Sequence, residues 1–194
     1  MEITMMAILC SFWFLFLGRT VMLMQRGIKV FVLGSGEGKK LHERLLEMLT
    51  MPALIIWSLQ ITFTVFGYTI LPAPMLWDIH FLRIIGLCFC VCGLLILIAA
   101  LVSFGNSWRI GVDEKNSNTL VTTGIFAFSR NPIFLFMDLF FAGVFLVFPN
   151  WFFLVLFILM TAGVHLQILK EEEFLRSKFG VEYNSYCEKV RRYF

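Results

Sequence analysis

Apolar residues along this chain come in long blocks separated by short polar stretches. The first block is 3–18, and it continues past Arg19 to Met24. It is preceded by an acid, Glu2, and no small-residue cleavage motif follows, so an anchor is expected there instead of a removable leader. The next polar stretch, 25–50, contains Gly34-Ser35-Gly36. Its second half, 37–49, spaces Leu41, Leu45, Leu46 and Leu49 in helical fashion between charges, the pattern of a short interfacial helix. A second apolar block, 51–71, is interrupted only by Gln60 and ends at Pro72 and Pro74. After a turn holding Asp78 and His80, a third block runs over 81–104, almost wholly apolar past Arg83. Each exceeds the roughly 20 residues that cross a bilayer.

The stretch 133–169 is broken only by Asp138 and Pro149-Asn150. As one helix it would reach roughly 55 Å, too long for a hydrocarbon core of about 30 Å. Pro-Asn is a turn signal, so the pattern predicts a hairpin of two short spans, 132–148 and 151–169, then a charged helical tail over 170–190. The expected architecture is an all-α integral membrane protein of five transmembrane helices, about 3–24, 51–71, 81–104, 132–148 and 151–169, with a cytoplasmic C-terminal helix.

Composition agrees. Hydrophobic residues make up 59% of the chain and charged residues 15%, against about 45–50% and 25% in soluble domains. With 23 Phe, the bilayer must solvate most of the surface, so a single membrane domain over 1–194 is expected, with no soluble module. The charges add direction. Of the 16 Lys and Arg, all but Arg19 and Arg83 fall within 26–44, 105–130 and 170–192. Five spans with the N-terminus outside place all three clusters on the cytoplasmic side, and the short 72–80 and 149–150 turns opposite carry no Lys or Arg. Apolar spans separate the clusters, so they form no nucleic-acid footprint. Cys10, Cys88, Cys90 and Cys92 sit in apolar runs, Cys187 stands near the end, and no Cys-x-x-Cys occurs. They read as packing residues, with neither a disulfide framework nor a metal site.

Candidate chemistry concentrates between Gly105 and Glu173. In Leu120-Val-Thr-Thr-Gly-Ile-Phe-Ala-Phe-Ser-Arg-Asn-Pro-Ile-Phe134, Gly124 admits backbone conformations closed to other residues. Arg130 is a permanent cation at the membrane edge, and Pro132 suits the first turn of a helix. Backbone amides at that helix start, with Asn131, can receive an anion such as a carboxylate. The same features also suit an ordinary interfacial loop. Farther on, Gln167 and Glu171 share one helix face, while His165 and Glu172 share a nearly opposite one. Only one of these faces can meet the 120–134 segment, or all four can be solvated interfacial groups. Asp138, roughly 9 Å along its helix from Pro132, is an intramembrane acid, or one that points back to the interface.

Taken in order, Leu120-Val-Thr-Thr-Gly-Ile-Phe126, Ser129-Arg-Asn-Pro-Ile-Phe134, Glu171-Glu-Glu173, Phe179-Gly-Val-Glu-Tyr183 and Tyr186 resemble the isoprenylcysteine carboxyl methyltransferase family. The resemblance covers about 105–190, the cofactor region it implies; the first two spans carry no signature. It implies an S-adenosylmethionine-dependent membrane methyltransferase, with S-adenosylhomocysteine as product. The acceptor it implies is a lipophilic carboxylate such as a prenylcysteine, entering from the bilayer, with membrane lipids as the other partners and neither nucleic acid nor metal. Cofactor contacts are implied at Asn118, Thr119, Leu120, Val121, Gly124, Phe126, Asn131, Pro132, Ile133, Phe134 and Glu171, which selects the Gln167/Glu171 face. Arg130 or Arg109 would hold the acceptor carboxylate. Gln167 stands where animal members carry an Arg implicated in catalysis.

Other departures are Asn131 for the family's frequent His and Phe126 and Phe134 for its frequent Tyr. They leave a cofactor site built on backbone and shape and put the acceptor in question. The chain is shorter than animal members, which suggests a prokaryotic type in the cell membrane; a eukaryotic one would reside in the endoplasmic reticulum. The alternatives are an amine-lipid N-methyltransferase, a sterol-reductase-like NADPH enzyme, and a transporter or non-catalytic membrane protein. Against a transporter, the spans hold few polar groups and no inverted repeat.

Overall fold

A computed structural model describes residues 1–28, 30, 41–68, 74–105 and 120–193, without the side chains of 41–47, 49 and 50. Six α-helices are described: α1 (Glu2–Gln25), α2 (Leu41–Val65), α3 (His80–Phe104), α4 (Pro132–Val147), α5 (Trp151–Phe179) and α6 (Val181–Lys189), with a short 3-10 turn at Gly124–Ala127. Among the described residues the only β-type pairing is a bridge between Met75 and Asn150. α1, α3 and α5 are long and apolar enough to cross a membrane, and Met51–Val65 and Pro132–Val147 are shorter apolar stretches. The protein is a multi-pass membrane protein by these helices.

Several boundaries differ from the sequence expectation. The interfacial helix and the second span are one element, because α2 runs unbroken from Leu41 through Pro52. It stops at Val65, ahead of the expected Pro72, at a turn where Gly67 takes φ 76°. Pro72 itself, the Gly34–Gly36 segment and most of the 105–119 loop lie outside the described residues. α5 does not end with its apolar part at Leu169 but continues as helix through the charged residues to Phe179. The tail then breaks at Gly180, whose φ of 51° separates α5 from α6.

α3 and α4 form the closest helix pair, and glycine is the reason. A Cβ on Gly86 would stand 2.6 Å from the Gly143 carbonyl, and one on Gly143 would stand 2.5 Å from Cys90 Sγ. Small residues at a membrane helix interface let backbones approach where lipid offers no hydrophobic drive. Gly86→Val should force the helices apart and cost about 1–3 kcal/mol. Gly163→Ala in α5, with nothing within 4 Å of its Cβ, should instead leave the melting temperature in detergent unchanged or raise it.

α1 and α2 join this pair through aromatic rings. Phe12 lies 5.7 Å from Phe136 and 5.8 Å from Phe140, and Trp57 lies 4.9 Å from Phe141. Outward positions such as Phe14 and Val102 are 78% and 74% exposed, as a lipid-facing surface requires. At the end of the bundle holding the α4–α5 turn, the Leu76 amide donates to the Pro149 carbonyl at 2.7 Å. Asn150 there caps α5, its Oδ1 accepting from the Phe153 amide at 3.0 Å. The opposite end carries the candidate site.

Candidate functional site

The described candidates gather where α3 ends, α4 begins and α5 leaves its apolar stretch. Gly124 opens the turn with φ 64°, and its missing Cβ leaves room for the Ser103 hydroxyl. That hydroxyl accepts from the Ile125 amide at 3.2 Å, so the end of α3 holds the turn in register. Phe126 is buried, with its ring edge-on to Phe104 at 4.6 Å. Tyr186 of α6 donates to the Phe126 carbonyl at 2.6 Å. Burial pushes the Tyr186 phenol up to about 12, so it remains a neutral donor. Leu120 packs beside the buried Tyr183, Tyr186 and Val190, and burial, then the Glu172 charge, raises the Tyr183 phenol as well.

The next residues are tied to the far end of the chain. The Arg130 amide donates to the Arg191 carbonyl at 3.1 Å, and the Ser129 hydroxyl to the Arg192 carbonyl at 3.3 Å. The Asn131 side chain donates to the Arg192 carbonyl and to Glu172 Oε1, both at 3.2 Å. Glu172 is 4% exposed and is the hub of this knot. Arg130 reaches its Oε1 at 3.1 Å and Arg192 its Oε2 at 2.8 Å. Burial works to raise the Glu172 carboxyl. The Arg192 hydrogen bond, the Arg130 and Arg192 charges and the Asn131 amide outweigh it, and the carboxyl sits below its ordinary range.

The face of α5 that meets the turn is therefore the one carrying Glu172, opposite to the expectation. The cause is tertiary: residues 190–193 return between α5 and the turn, and Arg192 needs a buried carboxylate. Glu171, about 100° round the helix from Glu172 and flanking it, and Gln167, farther round, are half-buried. Burial, then the Glu172 charge, pushes the Glu171 carboxyl up to about 7. Ile133 and Phe134 are half-buried in the first turn of α4, behind Pro132 at its start. Val121 is also half-buried. Arg109, Asn118 and Thr119 lie outside the described residues.

One carboxylate faces two guanidinium groups here, at a helix N-terminus that leaves its first amides without intrahelical partners. The buried Arg130 Nε has no hydrogen-bond partner among the described residues. This balance favours a further anion, and the donors present fit the carboxylate of an amino-acid-like cofactor. Sequence reasoning missed Ser103 and Arg192 and placed Glu172 on the face not selected. The one legible signal for Arg192 was its place in the last basic cluster.

A second polar group sits nearby between α4 and α5. Asp138 neighbours Thr161 and His165, and His165 Nδ1 lies 3.3 Å from the Tyr193 hydroxyl. Asp138 thus turns toward α5.

The phospholipid methyltransferase family model matches residues 81–182, more than half the chain, a range that holds α3, the 124–131 turn, α4 and α5. Comparison with curated proteins gave no match.

Proposed function

Because this chain belongs to the phospholipid methyltransferase family, within the wider isoprenylcysteine carboxyl methyltransferase-like group, we propose that it moves a methyl group from S-adenosylmethionine to a lipophilic acceptor at the membrane surface. The observation that carries this reading is the cationic turn at the start of α4, with the surplus guanidinium of Arg130 and Arg192 around Glu172. In this reading the first amides of α4 and Arg130 hold the cofactor's carboxylate. Leu120 and Val121 pack its adenine, and Glu171 accepts from its ribose hydroxyls or amino group. When bound, the cofactor supplies an electrophilic methyl on sulfonium, which passes to an oxygen or nitrogen of the acceptor and leaves S-adenosylhomocysteine.

The chain is read as one domain of five spans, N-terminus outside and C-terminus cytoplasmic, with 105–194 as the cofactor region. The positive-inside distribution supports that orientation. Two acceptors fit. A carboxylate such as that of a prenylcysteine is ionised at neutral pH and needs no base. Arg130 or Arg109 would orient it, with Gln167 beside the reacting group. An amine lipid must lose a proton first, and the family's phospholipid description supports this second reading. Labelled cofactor separates them: a carboxyl ester releases volatile labelled methanol in alkali, and an N-methyl product does not.

The cofactor assignment has its own test. S-adenosylhomocysteine should raise the melting temperature of the purified protein, by about 2.7 kcal/mol of stabilisation at 100 times its Kd, and NADPH should not. Glu171→Ala should weaken that binding about tenfold or more. Because burial pushes the Glu171 carboxyl up to about 7, affinity should fall as pH drops below that value. Glu171→Gln should show no such dependence. Unchanged affinity in Glu171→Ala would remove Glu171 from the site.

A further inference from the structure

α1 carries one feature that the cofactor site does not use. Arg19 stands six residues before the end of a largely apolar helix. An ionisable group at that depth, roughly 9 Å inside the helix end, is a functional feature by default. Its guanidinium donates to the Gly105 carbonyl, while its buried Nε has no hydrogen-bond partner among the described residues. Arg26 stands close enough to add to the positive potential there.

The groove beside Arg19 is apolar and shallow. It lies between α1 and α3, is lined by Phe14, Gly18, Arg19, Met22, Ile98 and Val102 among others, and holds about 260 Å³. That is near the lower limit of about 300–1,000 Å³ for small-molecule sites. Its lining spans roughly 12 Å along α1 and opens toward the lipid side, where Phe14 and Val102 are exposed. Gly18 leaves it open, since nothing lies within 4 Å of a Cβ placed there. The cationic end leads to the candidate site, because Gly105 adjoins Phe104, which packs on Phe126, and Ser103, which holds the Ile125 amide.

We infer that the α1–α3 groove binds one chain of a lipid whose phosphate or carboxylate is held by Arg19. That this lipid is the methyl acceptor rests on the methyltransferase reading. An apolar groove lined by a guanidinium whose Nε has no partner among the described residues selects a chain with an anionic terminus, and the charge excludes a neutral lipid as its best occupant.

The test uses the full chain in neutral detergent with three palmitoyl lipids: lysophosphatidic acid, palmitate and monopalmitoylglycerol. The two anionic lipids should raise the melting temperature more than the neutral one. Gly18→Leu, which fills the groove, should weaken all three, and Arg19→Gln should abolish the anionic preference, each reducing affinity for the anionic lipids about tenfold. Arg19→Lys should retain part of the preference. Stabilisation by S-adenosylhomocysteine should persist in every variant, which shows each one to be folded. Equal stabilisation by the neutral lipid, or variants that match the wild type, would overturn the inference. If the lipid pattern holds but S-adenosylhomocysteine stabilises no form, the methyltransferase reading fails and the groove stands as a lipid site; melting of each variant with and without lysophosphatidic acid then reports its fold. If the lipid pattern and cofactor binding hold but methyl transfer in Arg19→Gln equals that of wild type, the bound lipid is not the acceptor.

Discussion

Glu172→Ala should be the most damaging single change at the site, costing about 3–5 kcal/mol of stability. The carboxylate is buried and satisfies Arg130, Arg192 and the Asn131 amide at once. Its removal leaves two guanidinium groups facing each other with no counter-charge. Arg192 is about one-third exposed and regains water, whereas Arg130 is 11% exposed and does not. The loss should appear as a lower melting temperature in detergent and as weaker S-adenosylhomocysteine binding, since residues 190–193 would no longer hold the 129–131 turn. Glu172→Gln, which keeps an acceptor for one donor, should fall between. Glu173→Ala, at an exposed neighbour, should stay within about 0.5 kcal/mol of wild type. The pH dependence follows from the lowered Glu172 carboxyl. Its contribution is fully present above the ordinary carboxyl value of about 4.3 and is lost as pH falls through its lower folded value. Glu172→Gln should flatten the acid limb of the stability profile. A Glu172→Ala protein that melts like wild type would show that the knot contributes little.

Gly124→Val should cost about 3 kcal/mol or more, because two penalties combine. A β-branched residue is strained at φ 64°, and its Cβ would meet the Ser103 hydroxyl. The Ser103–Ile125 bond and the Phe104–Phe126 contact depend on the same approach. The double variant Gly124→Ala with Ser103→Gly separates the penalties when it is compared with Ser103→Gly alone, since both lack the Ile125 bond. Without the collision, Gly124→Ala should cost less in the Ser103→Gly background than in the wild type. No remaining cost would mean that the left-handed backbone carries no penalty here, and an equal cost in both backgrounds would mean that Ser103 is not the obstacle.

Both changes act on one arrangement. Beyond its own short 3-10 bonds, the 124–131 turn is held from outside: by Ser103 of α3, Tyr186 of α6 and the backbone of 191–192. A transferase that works mainly by positioning needs such support.

The helices were legible in the sequence because hydrocarbon cannot hydrogen-bond a backbone, so every apolar block long enough to cross must be helical. The 132–148 and 151–169 hairpin was legible for the same reason, with Pro149-Asn150 as its turn. The start of α4 at Pro132 and the need for glycine at 124 were also readable, since each rests on the residue's own backbone. Tertiary structure decided the rest. Helical periodicity defines two faces of α5 but not which one turns inward. That choice fell to Glu172 because Arg192, twenty residues on in the chain, comes back to pair with it.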